Sequence, residues 1–159
     1  MMRTDTMDDV AHRPGLKSRL VAARALLERV PFSLVQLACR FAIAGIFLRA
    51  GLQKLSGWET TLALFADEYK VPLLSPYLAA SMSAFTEVGC SILILAGLAT
   101  RLATLPFFGM ILTIQLFVFP QAWPEHLTWA SLLLVLLTRG AGAVSVDRFI
   151  GYWLDRCAR

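Results

Sequence analysis

Charged and strongly polar side chains inside long apolar segments are the residues of this chain best placed to do chemistry. Arg40 lies in the first such segment, Glu87 in the second and Gln115 in the third. If these segments cross a membrane, a charge at the centre of the bilayer costs at least about 2.5–3.5 kcal/mol. Residues of this kind therefore pair with one another or mark a site for ligands or protons.

Two helical stripes carry these groups. In the first segment the stripe advances by 4, 3, 4 and 3 residues, through Arg40, Ala44, Phe47, Gly51 and Lys54. In the second segment small and polar residues share a face with Glu87, namely Ala80, Ser83, Ala84, Cys90, Ser91 and Ile94. Because small residues let helix backbones approach closely, we expect both stripes to face the interior of a helix bundle.

The depths of the two charges favour an ion pair between them. At about 1.5 Å per residue, Glu87 lies about 15 Å from the outer end of its helix and Arg40 about 12 Å from the inner end. An extended arginine side chain spans the difference, so the sequence predicts an Arg40–Glu87 pair, to which Gln115 adds a hydrogen bond. The alternative is that the pair only fixes helix register and binds no ligand.

Three further side chains are weaker candidates. Cys39 and Cys90 lie at comparable depths, which permits a redox or thiol role, although burial among apolar groups makes a thiol inert. His126, which follows Trp123-Pro124, is a candidate proton or ligand contact at the outer face together with Trp123. No nucleophile–base set and no metal-ligand spacing is recognisable, so catalytic residues are unknown and no metal is expected.

The composition indicates a membrane protein. Of 159 residues, 57% are hydrophobic and only 16% are charged, whereas about a quarter of the residues of a soluble domain are charged. Four apolar stretches are candidates for spanning a bilayer, at about 32–52, 77–99, 102–119 and 123–138. The sequence therefore predicts an all-α protein, a polytopic membrane four-helix bundle over residues 32–139.

Amphipathic segments flank this bundle. Residues 1–31 form a basic tail in which the helical period from Leu16 to Val30 predicts a surface helix. A second period, from Trp58 to Tyr69, predicts an amphipathic helix in the first outer loop. Residues 140–159 form a tail with an amphipathic piece that begins at Ser145. We expect all three pieces to lie at the membrane interface.

Lysine and arginine are distributed unevenly between the two sides of the predicted membrane. The N-terminal segment holds six, the Thr100-Arg101 turn one and the tail from Arg139 four, whereas the two alternate loops hold only Lys54 and Lys70. Since cytoplasmic loops carry the excess of basic residues, we predict both termini in the cytoplasm. This distribution also argues against a nucleic-acid partner.

Three motifs follow one another along the chain. The first is Arg40-x4-Gly45-x-Phe47-x3-Gly51-x2-Lys54. The second is Glu87-x-Gly89, followed by Leu95-x-Gly97-Leu98-x-Thr100-Arg101. The third is Gly140-x-Gly142-x2-Ser145-x-Asp147. In order and spacing they resemble the DoxX family of small bacterial membrane proteins, over roughly residues 34–150, with Ala141 in place of the proline in the family's GPGxxSLD segment.

This resemblance implies four transmembrane helices, a location in a bacterial cytoplasmic (inner) membrane, and two kinds of role. Some relatives are subunits linked to quinone-dependent oxidation of sulfur compounds, and others are scaffolds that join thiol and superoxide-detoxifying enzymes at the membrane. The first hypothesis is therefore an accessory or scaffold subunit of a membrane redox or stress-response system. Such a subunit has no activity of its own, and its partners are lipid, membrane or peripheral redox proteins and further copies of the chain.

No cofactor is evident from the residues themselves, and quinone is the candidate that the resemblance suggests. Two other hypotheses stay open. One is a small proton- or ion-coupled transporter or channel in which Glu87 is the coupling group. The other, a self-contained quinone-linked oxidoreductase, is disfavoured because the residues that would hold a redox cofactor are missing.

Overall fold

The structure, a computed structural model, describes residues 16–157, apart from the side chains at positions 22, 23 and 27. Within that range the chain is helical and contains no strand, which confirms the predicted all-α class. The chain forms two compact units, divided between Pro31 and Phe32. The first fifteen residues of the predicted basic tail, and the last two residues of the chain, lie outside the described range.

The first unit contains one described helix, α1 (Leu16–Glu28). It covers most of the segment that was predicted as a surface helix. Arg24 and Glu28, four residues apart, form an exposed ion pair of 2.8 Å on it. A pair at this spacing stabilises a helix by about 0.2–0.5 kcal/mol. Contact between α1 and a membrane surface stays a prediction.

The second unit is a bundle of helices, several of them interrupted by π-helical turns. In chain order its elements are α2 (Phe32–Ser56), α3 (Trp58–Leu64), the π-turn π1 (Phe65–Tyr69), α4 (Pro76–Phe85), the π-turn π2 (Thr86–Cys90), α5 (Ser91–Ala96), α6 (Thr100–Thr113), the π-turn π3 (Ile114–Val118), a 3₁₀ turn (Pro120–Ala122), α7 (Trp123–Arg139) and α8 (Val146–Cys157). The continuous runs α4–π2–α5 and α6–π3 act as single long helices.

Three of these helices are long and apolar enough to cross a membrane: Phe32–Ser56, Pro76–Ala96 and Thr100–Val118. The first of them continues four residues beyond the predicted end at Leu52. The fourth helix of the bundle, α7, has 17 residues, or about 25 Å of length at 1.5 Å per residue. That α7 crosses the membrane stays a prediction.

The four long helices pack in a ring. The first, α2, lies against α4–π2–α5 on one side and α7 on the other, and α6 also contacts π2, α5 and α7. The shared core consists of Cys39, Ile43, Phe47, Cys90, Ile94, Ala103, Phe107, Ile111, Leu133 and Leu136. Helices α2 and α6 therefore occupy diagonal positions in the ring. The space between them is filled only where large core side chains lie.

At one end of the bundle, which we call the terminal end because α2 begins there, residues 140–147 fold back onto the helices. Gln36 Nε2 donates to the carbonyl oxygens of Arg139 (2.8 Å) and Gly140 (2.9 Å). Asp147 accepts hydrogen bonds from the backbone N–H groups of Ala99 (2.7 Å) and Thr100 (3.3 Å) at the start of α6. This segment and the bundle belong to one compact unit, and the cytoplasmic tail over residues 140–159 stays a prediction.

At the opposite end, which we call the loop end, α3 and π1 cover the second long helix. Phe65 is buried with Ala79 and Ala80 of α4, and Trp58, Leu62, Tyr69 and Val71 pack against them. The amphipathic helix predicted in this loop is present. Its apolar stripe, however, packs against the bundle.

At Gly51 the helix α2 lies very close to π2, because glycine has no side chain. A Cβ atom added at Gly51 would lie 2.7 Å from Val88 Cγ2 and 2.8 Å from Glu87 Cβ. Such distances are below van der Waals contact, so the two helices would have to separate. Gly45, on the same helix, would meet nothing within 4 Å.

We expect the variant Gly51→Ala to lower the free energy of unfolding by about 1–3 kcal/mol, the usual cost of overpacking. Gly45→Ala is the matched control, and should leave stability unchanged or raise it, since alanine is the better helix former. Unfolding in mild detergent, followed by circular dichroism, measures both. Equal stability of the two variants would contradict the close approach at Gly51.

Candidate ligand cavity

Arg40 is buried at the terminal end and binds backbone carbonyl groups. Its side chain is only 3% exposed. The guanidinium donates hydrogen bonds to the carbonyl oxygens of Ile94 (2.8 Å) and Leu95, near the end of α5, and of Ala141 (3.1 Å) and Val144 in the segment that follows α7. The last carbonyls of a helix lack partners within it and carry the negative end of its dipole, so they suit a cation.

Gly97 makes room for this arrangement. Its φ of +72° is in the left-handed region that favours glycine, and a Cβ there would lie 2.9 Å from the Arg40 guanidinium and 2.6 Å from Ser145 Cβ. Arg40, in the first motif, thus contacts Leu95 in the second motif and Ala141 and Val144 in the third. Its role in the structure is to hold the terminal end together.

Glu87 is paired with Lys54, and the predicted Arg40–Glu87 ion pair is wrong. Lys54 Nζ lies 2.7 Å from both Oε1 and Oε2 of Glu87. Ser83 Oγ donates to Oε1 at 3.3 Å. The side chain of Glu87 is 4% exposed and that of Lys54 21%. Lys54 takes this place because it lies on the stripe of Arg40 but about four turns nearer the loop end.

Gln115 belongs to a different group from the one predicted. Its Nε2 donates to the carbonyl of Pro120 at 2.9 Å, and its Oε1 lies 2.7 Å from Nδ1 of His126. Since the first bond fixes the orientation of the amide, Nδ1 of His126 must carry the proton that it donates to Oε1. In the neutral ring Nε2 is then an acceptor. His126, expected on the outer face, is buried in the first turn of α7.

A cavity of about 800 Å³ lies between these two groups, in the half of the bundle nearer the loop end. Lys54, Ser83 and Glu87 contribute polar atoms from the first and second long helices, and Glu125 and His126 from α7. Most of the remaining wall is apolar and includes Phe47, Phe65, Met110, Ile114 and Trp129. Apolar cavities of this size with a few converging polar groups are typical of sites for small molecules.

Each of the three π-turns contributes side chains to the cavity wall. Phe65 and Tyr69 come from π1, Glu87 from π2 and Ile114 from π3. A π-turn inserts one residue into a helix and rotates the faces that follow it, and such turns are frequent at functional sites.

Aromatic side chains lie at both ends of the cavity. Toward the terminal end, Phe47 packs on Phe107 with ring centroids 4.6 Å apart and on Trp129 at 5.1 Å. Toward the loop end, Tyr69 packs on Phe65 at 4.9 Å and on Phe119 at 5.8 Å. Burial first, and then the carboxylates of Glu68 and Glu87, raise the pKa of the Tyr69 phenol above its ordinary value of 10.0, so this hydroxyl keeps its proton.

The other candidates lie away from the cavity. Cys39 and Cys90 are free thiols in the packed core, and neither contributes to the cavity wall. Trp123 is exposed, whereas Trp129 lines the cavity with its ring 5.4 Å from that of His126. Trp129 and Tyr69, which line the cavity, were not among the site residues predicted from the sequence. The available signal was the spacing His126-x2-Trp129, which puts both rings on one helical face.

These observations define the class: a helical membrane protein with a largely apolar cavity, carrying a few polar groups, at one end of its bundle. The chain belongs to the DoxX family, whose model matches residues 35–120, and this confirms the resemblance of its motifs. The matched range contains Lys54, Glu87 and the first three long helices, but not α7 or residues 140–147. Comparisons with curated proteins and with solved structures give no match.

We expect Lys54 and Glu87 to be energetically coupled. Lys54→Met or Glu87→Gln alone leaves its partner's charge buried and unpaired, which costs about 3–5 kcal/mol for a buried pair. The double variant should then lose at least about 1 kcal/mol less than the sum of the single losses. Unfolding in detergent measures the cycle. Arg40→Met with Glu87→Gln is the control cycle and should be additive, because these residues have different partners; additive losses for Lys54 and Glu87 would contradict the pairing.

Proposed function

We propose that this DoxX-family protein is an accessory or scaffold subunit of a membrane redox or stress-response system and binds a quinone in its cavity. The observation that carries the proposal is the apolar cavity of about 800 Å³ with polar groups on different walls. A quinone head is an apolar ring with two carbonyl oxygens on opposite sides. The cavity offers flat aromatic walls for the ring and separate hydrogen-bonding groups for the oxygens.

Lys54 and His126 are the groups that would hold these oxygens. A lysine ammonium has three N–H donors, and the two contacts with Glu87 leave at least one for a ligand. His126 keeps Nε2 free for a bond, as an acceptor from a quinol hydroxyl when the ring is neutral and as a donor to a quinone carbonyl when it is protonated. Both redox states of a quinone therefore find a partner.

The setting of this subunit is part of the proposal. The excess of lysine and arginine at the termini and in the Thr100-Arg101 turn supports an inner-membrane protein whose terminal end faces the cytoplasm. Basic ends on that side suit anionic lipid and the acidic surfaces of partner enzymes. In this proposal the cavity of the subunit binds the quinone by hydrogen bonds, and the partner enzymes supply the electrons that reduce it.

Binding of a short-chain quinone to the purified protein tests the proposal. We expect quenching of tryptophan fluorescence on titration, because Trp129 lines the cavity, and little quenching in Trp129→Phe. Lys54→Met should weaken binding about 10- to 100-fold, since a hydrogen bond from a charged donor contributes about 1.5–3 kcal/mol. Lys70→Met, which changes an exposed lysine of the same loop region, is the control and should bind normally. Absence of binding to the wild-type protein would refute the proposal.

Proton- or ion-coupled transport is the second candidate, and the observation that favours it is the buried Lys54–Glu87 pair beside the cavity. Protonation of Glu87 would release Lys54, as a coupling group must do. Against it, the core of Ile43, Phe107 and Leu133 closes the way toward the terminal end.

Proteoliposomes distinguish the two functions. An accessory quinone-binding subunit should carry no proton or cation flux above that of empty liposomes, in the wild type and in Glu87→Gln alike. Flux that is present in the wild type, persists in the exposed-site control Glu68→Gln and disappears in Glu87→Gln would establish transport instead. A pH-sensitive dye inside the vesicles reports the proton flux.

A further inference from the structure

The second and third long helices leave a gap along one side of the cavity. Helix α4 packs against α2, α3 and π1, whereas α6 packs against π2, α5 and α7. Between α4 and α6 themselves the contact that bridges the gap is a weak one, from Ser83 Oγ to Met110 Sδ at 3.9 Å. The two long helices therefore pack together at π2 and α5 and diverge toward the loop end.

Residues at this gap belong to the cavity wall and to the outside of the bundle at once. Met82 on α4 lines the cavity and is 53% exposed. Pro106 and Gly109 on α6 likewise line the cavity and are exposed. A residue in both positions marks an opening; Leu74, Phe119 and Glu125 mark a second one at the loop end, and we consider here the one between α4 and α6. Because these helices are apolar enough to cross a membrane, the opening faces acyl chains and not water.

The edges of the opening suit a flexible hydrocarbon tail. They carry no charged side chain: Met82, Pro106, Gly109 and Met110 form the rim on the two helices, and Phe85, 77% exposed, lies beside Met82 on the outer surface. Methionine adapts its shape to irregular apolar partners. At Gly109 a Cβ would meet nothing within 4 Å, so the absence of a side chain there leaves space in the gap.

We propose that ligands reach this cavity sideways from the bilayer, between α4 and α6, and that the bound molecule is a lipid whose tail remains in this gap. This inference rests on the proposed function and adds the route and the chemical class, a polar head on a long hydrocarbon or isoprenoid tail. The head lies near Lys54 and Glu87. The tail passes Met82 and Gly109 and stays among the acyl chains, so binding does not require the whole molecule to leave the membrane.

A large side chain at the gap tests this route. In the variant Gly109→Trp an indole fills the space between the helices, whereas in the matched control Gly45→Trp the indole projects from α2 into equally open space beside Leu48 and Arg49, away from the cavity. The protein is reconstituted in lipid nanodiscs, and two probes are compared: a quinone with a long isoprenoid tail and a tail-free quinone of the same ring. Met82→Trp, on the α4 edge of the gap, is a second variant, which tests the same route even if α6 does not accept a tryptophan at position 109.

Gly109→Trp and Met82→Trp should slow association of the long-tailed quinone at least 10-fold and slow association of the tail-free quinone less, because it has no tail to pass through the gap, while Gly45→Trp changes neither rate. Unfolding in detergent at the same midpoint as Gly45→Trp, followed by circular dichroism, shows that the variants are folded. If the long-tailed probe binds the wild type and all three variants at equal rates, sideways entry is overturned and the quinone-binding proposal survives. If the wild type binds neither probe, the proposed function itself fails.

Discussion

The cost of leaving polar groups unpaired in hydrocarbon determines how this bundle is assembled. Inside a bilayer no water is present to satisfy a charge or a backbone carbonyl, so each must find its partner in the protein. Arg40 meets both requirements, because its guanidinium donates to four carbonyl oxygens, two near the end of α5 and two in the segment after α7. The hydrogen bonds connect α2, α5 and residues 141–144. They therefore set the rotation of α2 within the ring.

That rotation explains the second buried charge. Once Arg40 faces the end of α5, the same stripe of α2 turns Gly51 against π2 and Lys54 toward Glu87, four turns along. The missing side chain at Gly51 lets the backbones come close enough for the ammonium to contact both carboxylate oxygens. The two charged sites thus share one stripe of α2, although they lie in different halves of the bundle and have different partners.

Much of the architecture was predictable from the sequence, and the pairing of its charges was not. Helical periods and apolar lengths located α1, the three long helices and α7 to within a few residues, and the stripes correctly placed Arg40, Lys54 and Glu87 inside the protein. Depth counting then chose the wrong partner for Glu87. Counting depth compares side chains only, whereas the acceptors that bind Arg40 are backbone carbonyls. Every residue has a backbone carbonyl, so the residue types in a sequence do not show which one will bind an arginine. The bond between Gln115 and His126 was equally hidden, because it depends on how the 3₁₀ turn at Pro120–Ala122 brings two helix ends together.

The two halves of the bundle differ in packing, and this difference indicates that one half stabilises the fold and the other binds a ligand. At the terminal end, Ile43, Ile94, Leu133 and Leu136 are fully buried and fill the interior of the bundle, and the charge of Arg40 is satisfied by backbone carbonyls. At the loop end, three π-turns and the divergence of α4 from α6 leave space, and Lys54 and His126 retain bonding capacity toward it. A bundle built only for stability would gain by filling about 800 Å³ with side chains, since each empty volume forfeits dispersion contacts. A cavity that keeps a charged pair on its wall is better explained by an occupant that restores those contacts, and in an apolar enclosure open to acyl chains that occupant is a lipid with a polar head.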